Sequence, residues 1–187
     1  MGISSSNPLA SFKKFSRERG VKLFVAGLDA AGKTSMMYRL KNFQQNSAEF
    51  EYGVYNYCEN IWIQNIYFIN LDLGGVMRFK DLFQLSYQEN IKGIIFVVDS
   101  SDRDRIEDAK SDFQEILRQE LLSGIPVLIL ANKQDLPGVM TVDEIKEKFE
   151  LFLIRGRSWY LQGCSMITNN GLSEGLEWLS RAIQSDS

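Results

Sequence analysis

A chain of 187 residues, 44% hydrophobic and 24% charged, has an ordinary globular composition and the length of one domain able to bury a sizeable core. It contains no histidine, which excludes imidazole catalysis and His-ligated zinc, and its two cysteines, Cys58 and Cys164, form no disulfide framework and point to a reducing compartment. The net charge of −3 divides into +3 over residues 1–20 and −6 over the remainder, so a basic start suited to an anionic surface precedes an acidic body that argues against nucleic acid as a partner. No apolar run reaches the roughly 18 residues of a membrane span.

The chain opens with Met1-Gly2-Ile3-Ser4-Ser5-Ser6, which fits the M-G-x-x-x-[ST] myristoylation signal with Gly2 as the acceptor. Asn7-Pro8 has the form of a helix start. Leu9, Phe12 and Phe15 then spread over one side, flanked by Lys13, Lys14 and Arg17. Because one acyl chain anchors only marginally, these residues supply the second signal for a membrane surface, unless the segment is a tail or docks on its own domain. Residues 1–19 are therefore an amphipathic membrane-associating extension, and residues 20–187 the folded domain.

The first apolar run, residues 21–26, leads into Gly27-Leu28-Asp29-Ala30-Ala31-Gly32-Lys33-Thr34, a match to G-x-x-x-x-G-K-[ST] between a strand and a helix predicted over 34–43. Glycines let such a loop curl so that the N–H groups of Asp29, Ala30, Ala31, Gly32, Lys33, Thr34 and Ser35 face a polyphosphate at the helix N-terminus. Lys33 would reach the β and γ phosphates, and the Thr34 hydroxyl would ligate Mg²⁺. Residues 44–65 read as a polar loop followed by a strand that pairs antiparallel with the next run.

That run, residues 66–73, ends in Leu71-Asp72-Leu73-Gly74-Gly75-Val76. An isolated Asp with two glycines is most simply a turn. Downstream of a phosphate loop it reads differently: Asp72 is a metal-holding acid, and Gly75 offers its N–H to the γ phosphate. Residues 93–99 form another strand, and Asp102-Arg103-Asp104-Arg105 reads as the solvated start of a helix over 103–122. After the strand at 125–131, Asn132-Lys133-Gln134-Asp135 places a carboxylate on Asp135 that can accept from the ring N–H and exocyclic amine of guanine. Asn132 would bond the base or brace the phosphate loop, and the Lys133 stem would cover the base face. A helix over 141–153, a strand over 159–164 and a helix over 172–183 complete the chain. Between the last two, a backbone N–H of Cys164-Ser165-Met166 can donate to the guanine carbonyl. Trp62, Trp159 and Trp178 read as packing residues. Strands alternating with helices make an α/β protein whose mostly parallel sheet is covered on both faces, with ligands beyond the carboxyl ends of the strands.

With these motifs in this order, the sequence resembles the Arf and Arf-like small GTPases of the Ras-type P-loop superfamily. The likeness is carried by GLDAAGKT at 27–34, GIIFVVDSSDRDRI at 93–106, ANKQDLP at 131–137, WYLQGCS at 159–165 and GLSEGLEWLS at 171–180. The resemblance implies a six-stranded, mostly parallel sheet with one antiparallel strand, and GTP and GDP with Mg²⁺ as ligands. It further implies switching at residues 44–65 and 76–90, protein effectors with exchange or GTPase-activating factors, and a monomer in the cytoplasm and on a membrane surface. Three departures stand out. Val76 occupies the position of the water-orienting Gln of switch II. No threonine lies between Thr34 and Thr141, where switch I carries one. Asn56, Leu71 and Ser86 replace aromatic effector-gripping positions. The expectation is a nucleotide-binding switch or scaffold with little intrinsic hydrolysis. Alternatives are a GTPase completed by a partner, and a nucleotide-locked interaction module.

Overall fold

The computed structural model describes residues 21–42, 48–52, 59–63, 66–70 and 91–185. The N-terminal extension with Gly2, and Asn56, Cys58, Leu71, Asp72, Gly75, Val76 and Ser86, lie outside the described residues.

Seven strands form one sheet: β1 (Val21–Ala26), β2 (Ala48–Tyr52), β3 (Glu59–Ile63), β4 (Ile66–Asn70), β5 (Ile91–Asp99), β6 (Val127–Asn132) and β7 (Trp159–Gly163), in the spatial order β2-β3-β4-β1-β5-β6-β7. β4, β1, β5, β6 and β7 run parallel, while β3 is antiparallel to both β4 and β2. The antiparallel pairing of β3 with β4 is as the sequence predicts. The strand number is not, since β2 stands where a polar loop was expected. Ala-Glu-Phe-Glu-Tyr alternates polar and apolar residues, a period of two that suits an edge strand with one wet face, although its polarity reads as loop.

Four helices are described: α1 (Lys33–Asn42), α2 (Ile106–Leu117), α3 (Val142–Lys148) and α4 (Leu172–Ser185). The two middle helices are shorter than their apolar spacing predicts. Gln119 turns to extended backbone before a single turn at Glu120–Leu122, and Glu150 adopts φ 52° before another at Leu151–Leu153, so each pattern is broken. α3 starts at a capping box, in which Thr141 Oγ1 accepts from the Glu144 N–H and Glu144 Oε2 accepts from the Thr141 N–H.

Alternate residues of each central strand feed opposite faces of the sheet. Leu23, Val25, Ile95, Val97, Leu128 and Leu130 face Met36, Met37 and Leu40 of α1 and Leu172, Leu176, Leu179 and Ile183 of α4. Phe24, Ile94, Phe96, Val98, Val127 and Ile129 face Ile106, Ala109, Phe113 and Ile116 of α2 and Ile145 of α3. Burial on both faces explains the continuous apolar runs of β5 and β6. Every loop considered below leaves the carboxyl ends of these buried strands, so the sheet holds those loops at fixed positions.

Candidate functional site

The loop from Gly27 to Gly32 connects β1 to α1 through backbone that side chains rarely adopt: Gly27 has φ 141°, Ala30 58° and Gly32 108°. A Cβ on Gly27 would lie 2.2 Å from the Val97 carbonyl oxygen of β5, and one on Gly32 would lie 2.2 Å from Asn132 Nδ2. Both glycines are therefore required by close approach as well as by φ. Lys33, only 3% exposed, folds back over the loop, its Nζ donating to the Gly27 carbonyl at 2.8 Å and the Leu28 carbonyl at 2.7 Å. α1 thus presents its N-terminus at the loop with no acidic residue in its first turn, an arrangement that favours an anion. Thr34, the next residue, is exposed.

Asn132 at the end of β6 is the junction of the site. Its Nδ2 donates to the Ala31 carbonyl at 2.8 Å, and its Oδ1 accepts from the Met166 N–H at 3.1 Å. The side chain is buried, so of the two roles open to it in sequence it braces the phosphate loop. Arg39 of α1 adds a second tie, donating from Nε to the Met166 carbonyl at 2.6 Å and from Nη2 to the Ile167 carbonyl at 2.9 Å. Lys133 stands at φ 69° with its amine paired to Asp99 of β5, which also accepts from the Ser101 N–H and hydroxyl. Burial alone would raise the Asp99 carboxyl. The hydrogen bonds from Lys133 and Ser101 together outweigh it and hold the group below its ordinary range.

These ties enclose a cleft of about 640 Å³, a size that takes a small-molecule ligand. Ala30, Gly32, Ser35, Asn132, Lys133, Asp135 and Met166 of the predicted set line it, together with Tyr38, Arg39, Asn42, Leu136 and Ile167, which were not predicted. The exposed Asp135 stands at its rim. Asp29, Ala31, Lys33, Thr34 and Ser165 adjoin the cleft without lining it. Ala31 is buried with its carbonyl on Asn132. The Ser165 hydroxyl accepts from the N–H groups of Ile167 and Thr168, which shapes the loop.

One expectation changes. The N–H groups of Cys164, Ser165 and Met166 donate within the protein, to the Ala131 carbonyl at 2.9 Å, the Asn170 carbonyl at 3.0 Å and Asn132 Oδ1, so a base carbonyl would have to share an engaged donor. The Cys164 thiol is buried beside Asn132 and its pKa is pushed up to about 12, which makes it an inert packing group.

Residues that the sequence did not assign to the site complete the geometry. Arg105 donates from Nη1 to Asp29 Oδ1 at 2.6 Å and from Nε to Asp102 Oδ2 at 2.7 Å, so the charged run at 102–105 reaches the phosphate loop as well as solvent. Gln134 donates to Ser100 Oγ at 2.8 Å and to the Met140 carbonyl at 3.0 Å, fixing the turn that carries Asp135. Asp99 closes the buried run of β5 and Arg105 ends the charged run that follows, and those places were the only signal for either.

A phosphate-type loop, a helix N-terminus and an exposed carboxylate around one cleft suit an anionic ligand that bears a hydrogen-bond-donating ring. Residues 9–183 match the family model of the ADP-ribosylation factor (Arf) family. The chain accordingly belongs to the Arf family of small GTPases, proteins that bind GTP and GDP and act as switches.

Proposed function

We propose that this Arf-family protein is a Mg²⁺-dependent guanine-nucleotide switch or scaffold that works at a membrane surface and hydrolyses GTP scarcely. The observation that carries the nucleotide assignment is the Asn132 junction, which ties the phosphate loop to the Ser165–Met166 loop on either side of a cleft with Asp135 at its rim. Asp135 supplies two acceptor oxygens for the N–H and amine edge of guanine, which adenine does not present. Lys133, anchored by Asp99, lays its stem along the cleft. The Lys33 amine exchanges two loop carbonyls for the β and γ phosphates, and the N–H groups of the first turn of α1 would face the same anion, while the Ala31 N–H donates within the loop to the Leu28 carbonyl at 3.3 Å.

Thr34 and Asp72 would hold Mg²⁺, with Gly75 offering its N–H to the γ phosphate. Few protein oxygens suit this ion, which takes the rest of its ligands from phosphates and water, and among the described residues no cluster of three carboxylate or thiol ligands competes for it. When bound, the ion would offset charge on the β and γ phosphates. Scarce hydrolysis follows from Val76, whose isopropyl group cannot orient water, and from the lack of any threonine between Thr34 and Thr141. Membrane attachment follows from Gly2 and from the apolar and basic residues Leu9, Phe12, Phe15, Lys13, Lys14 and Arg17. On this reading the protein is a monomer on a cytoplasmic membrane face, and release of nucleotide or binding of a partner ends its signal.

The test is titration of the purified full-length protein with fluorescent GDP and GTP, with competition by unlabelled GTP and ATP. GTP should displace the probe and ATP should not. Asp135→Asn should weaken guanine nucleotides by about 30-fold to 1000-fold, because an amide donor then opposes the guanine amine. Equal competition by ATP, or an unchanged Asp135→Asn affinity, overturns the guanine assignment. With Mg²⁺, single-turnover hydrolysis should fall below the roughly 3 to 5 × 10⁻⁴ s⁻¹ of a Ras-type protein that keeps its Gln. A rate at or above that range overturns the scarce-hydrolysis claim and leaves the binding claim standing.

A further inference from the structure

Asp29 is an oddity of charge. It lies within a loop built to receive anions, one residue after Leu28, whose carbonyl takes the Lys33 amine, and one before Ala30, which lines the cleft. Its carboxylate adds a negative charge to that loop, and a like charge within the ~8 Å screening length of a bound phosphate opposes it. Left alone, it would oppose the ligand.

It is not left alone. Arg105 Nε is fixed on Asp102 Oδ2 three residues away, and the same guanidinium extends Nη1 to Asp29 Oδ1 at 2.6 Å, across 76 residues of sequence. The start of α2 does not need that side chain. Arg105 makes no side-chain cap, and the turn is closed by its own N–H donating to Asp102 Oδ1 at 3.1 Å, a bond any residue at 105 would keep. With both Arg105 and Asp29 substantially exposed, at 38% and 66%, the pair contributes little to stability. Its effect on a nearby polyanion is larger, because removing the cation exposes the ligand to an uncompensated charge.

We propose that Arg105 is a positioning and specificity residue of the phosphate loop, holding the Asp29 carboxylate aside and offsetting its charge so that the loop tolerates a third phosphate. This rests on the guanine-nucleotide reading of the cleft and adds to it a determinant of preference between triphosphate and diphosphate. A nucleoside triphosphate brings more negative charge close to Asp29 than a diphosphate does. Loss of Arg105 should therefore weaken the triphosphate more.

The experiment measures the affinities of the full chain for fluorescent GDP and a fluorescent non-hydrolysable GTP analogue, with Mg²⁺, at low and high salt. Arg105→Ala should weaken the analogue by about tenfold and GDP by about threefold at low salt, and the difference should shrink at high salt. Adding Asp29→Ala should return the ratio to that of the parent, and Arg105→Lys should stay near it. Should Arg105→Ala fail to fold, Asp29→Asn alone reads the same charge and should shift the ratio toward the analogue. Equal losses on both nucleotides, an unchanged ratio, or no recovery in the double variant overturns the proposal while the parent still binds. A parent that binds neither nucleotide removes the nucleotide reading itself, and the proposal with it.

Discussion

Asn132 and Asp99 show how much the site depends on single side chains that need never touch a ligand. Asn132 offers one donor and one acceptor in a fixed plane, and the structure uses each on a different loop, so no other side chain of its size satisfies both partners. Asp99 acts at one remove, by anchoring the Lys133 amine. Its carboxyl lies below the ordinary value of 3.8 in the folded chain, so the stability it contributes is complete above that value and is lost as pH falls through the depressed one. Asp99→Asn should therefore cost about 1 kcal/mol at pH 7, the scale of a charge-assisted bond to a partly exposed lysine, and nearly nothing at the acid end. Urea denaturation of both proteins at pH 7 and at successive steps below pH 3.8 checks this, the deficit shrinking as pH falls. An equal deficit throughout would show that the side chain acts by shape and not by charge.

Helix α2 joins the core to the site. Its buried residues Ile106, Ala109, Phe113 and Ile116 hold it against the sheet, while Arg105, immediately before it, reaches the phosphate loop. Phe113 is the centre of that attachment, with its ring 5.0 Å from Phe96 of β5 and 5.4 Å from Phe149 just after α3, both in tilted or edge-on geometry. Phe113→Ala should destabilise the domain by about 3 to 5 kcal/mol, because a rigid sheet on one side and α3 on the other limit collapse of the cavity. Since α2 positions Arg105, the same variant should also lower affinity for a triphosphate at temperatures where it remains folded. Thermal denaturation with and without GTP analogue separates the two effects. Loss of stability with unchanged affinity would show that the position of α2 is set elsewhere.

Across the whole molecule, charge separates a basic N-terminal segment of +3 from an acidic remainder of −6. Among the described residues no helix is long and apolar enough to cross a membrane. A single myristoyl chain binds bilayers with an association constant on the order of 10⁴ M⁻¹, and the apolar and basic side chains of residues 9–17 would add to it. Gly2→Ala, which removes the acyl acceptor, should reduce flotation with anionic vesicles about tenfold or more relative to the acylated full-length parent. Flotation equal to the parent, or mass spectrometry of native protein that retains Met1, would rule out the lipid anchor.

The phosphate loop, the Asn132–Asp135 turn and the alternation of strands with helices were legible in the amino-acid sequence, because each is a local pattern. A phosphate loop needs glycine where φ is positive and a lysine beside the helix start, and a strand buried on both faces must be apolar throughout. β2 was missed for the complementary reason, since a short edge strand that alternates polar and apolar residues has the composition of a loop. Choosing between the two roles open to Asn132, finding the acceptors that engage the Cys164–Met166 N–H groups, and bringing Arg105 to Asp29 or Arg39 to Met166 required the tertiary structure. Those last two contacts join residues 76 and 127 positions apart, and no local spacing encodes which of several charged side chains at strand ends will meet. The parallel order of β1, β5, β6 and β7 decides that, by setting their carboxyl ends, and the helix and loops that leave them, side by side.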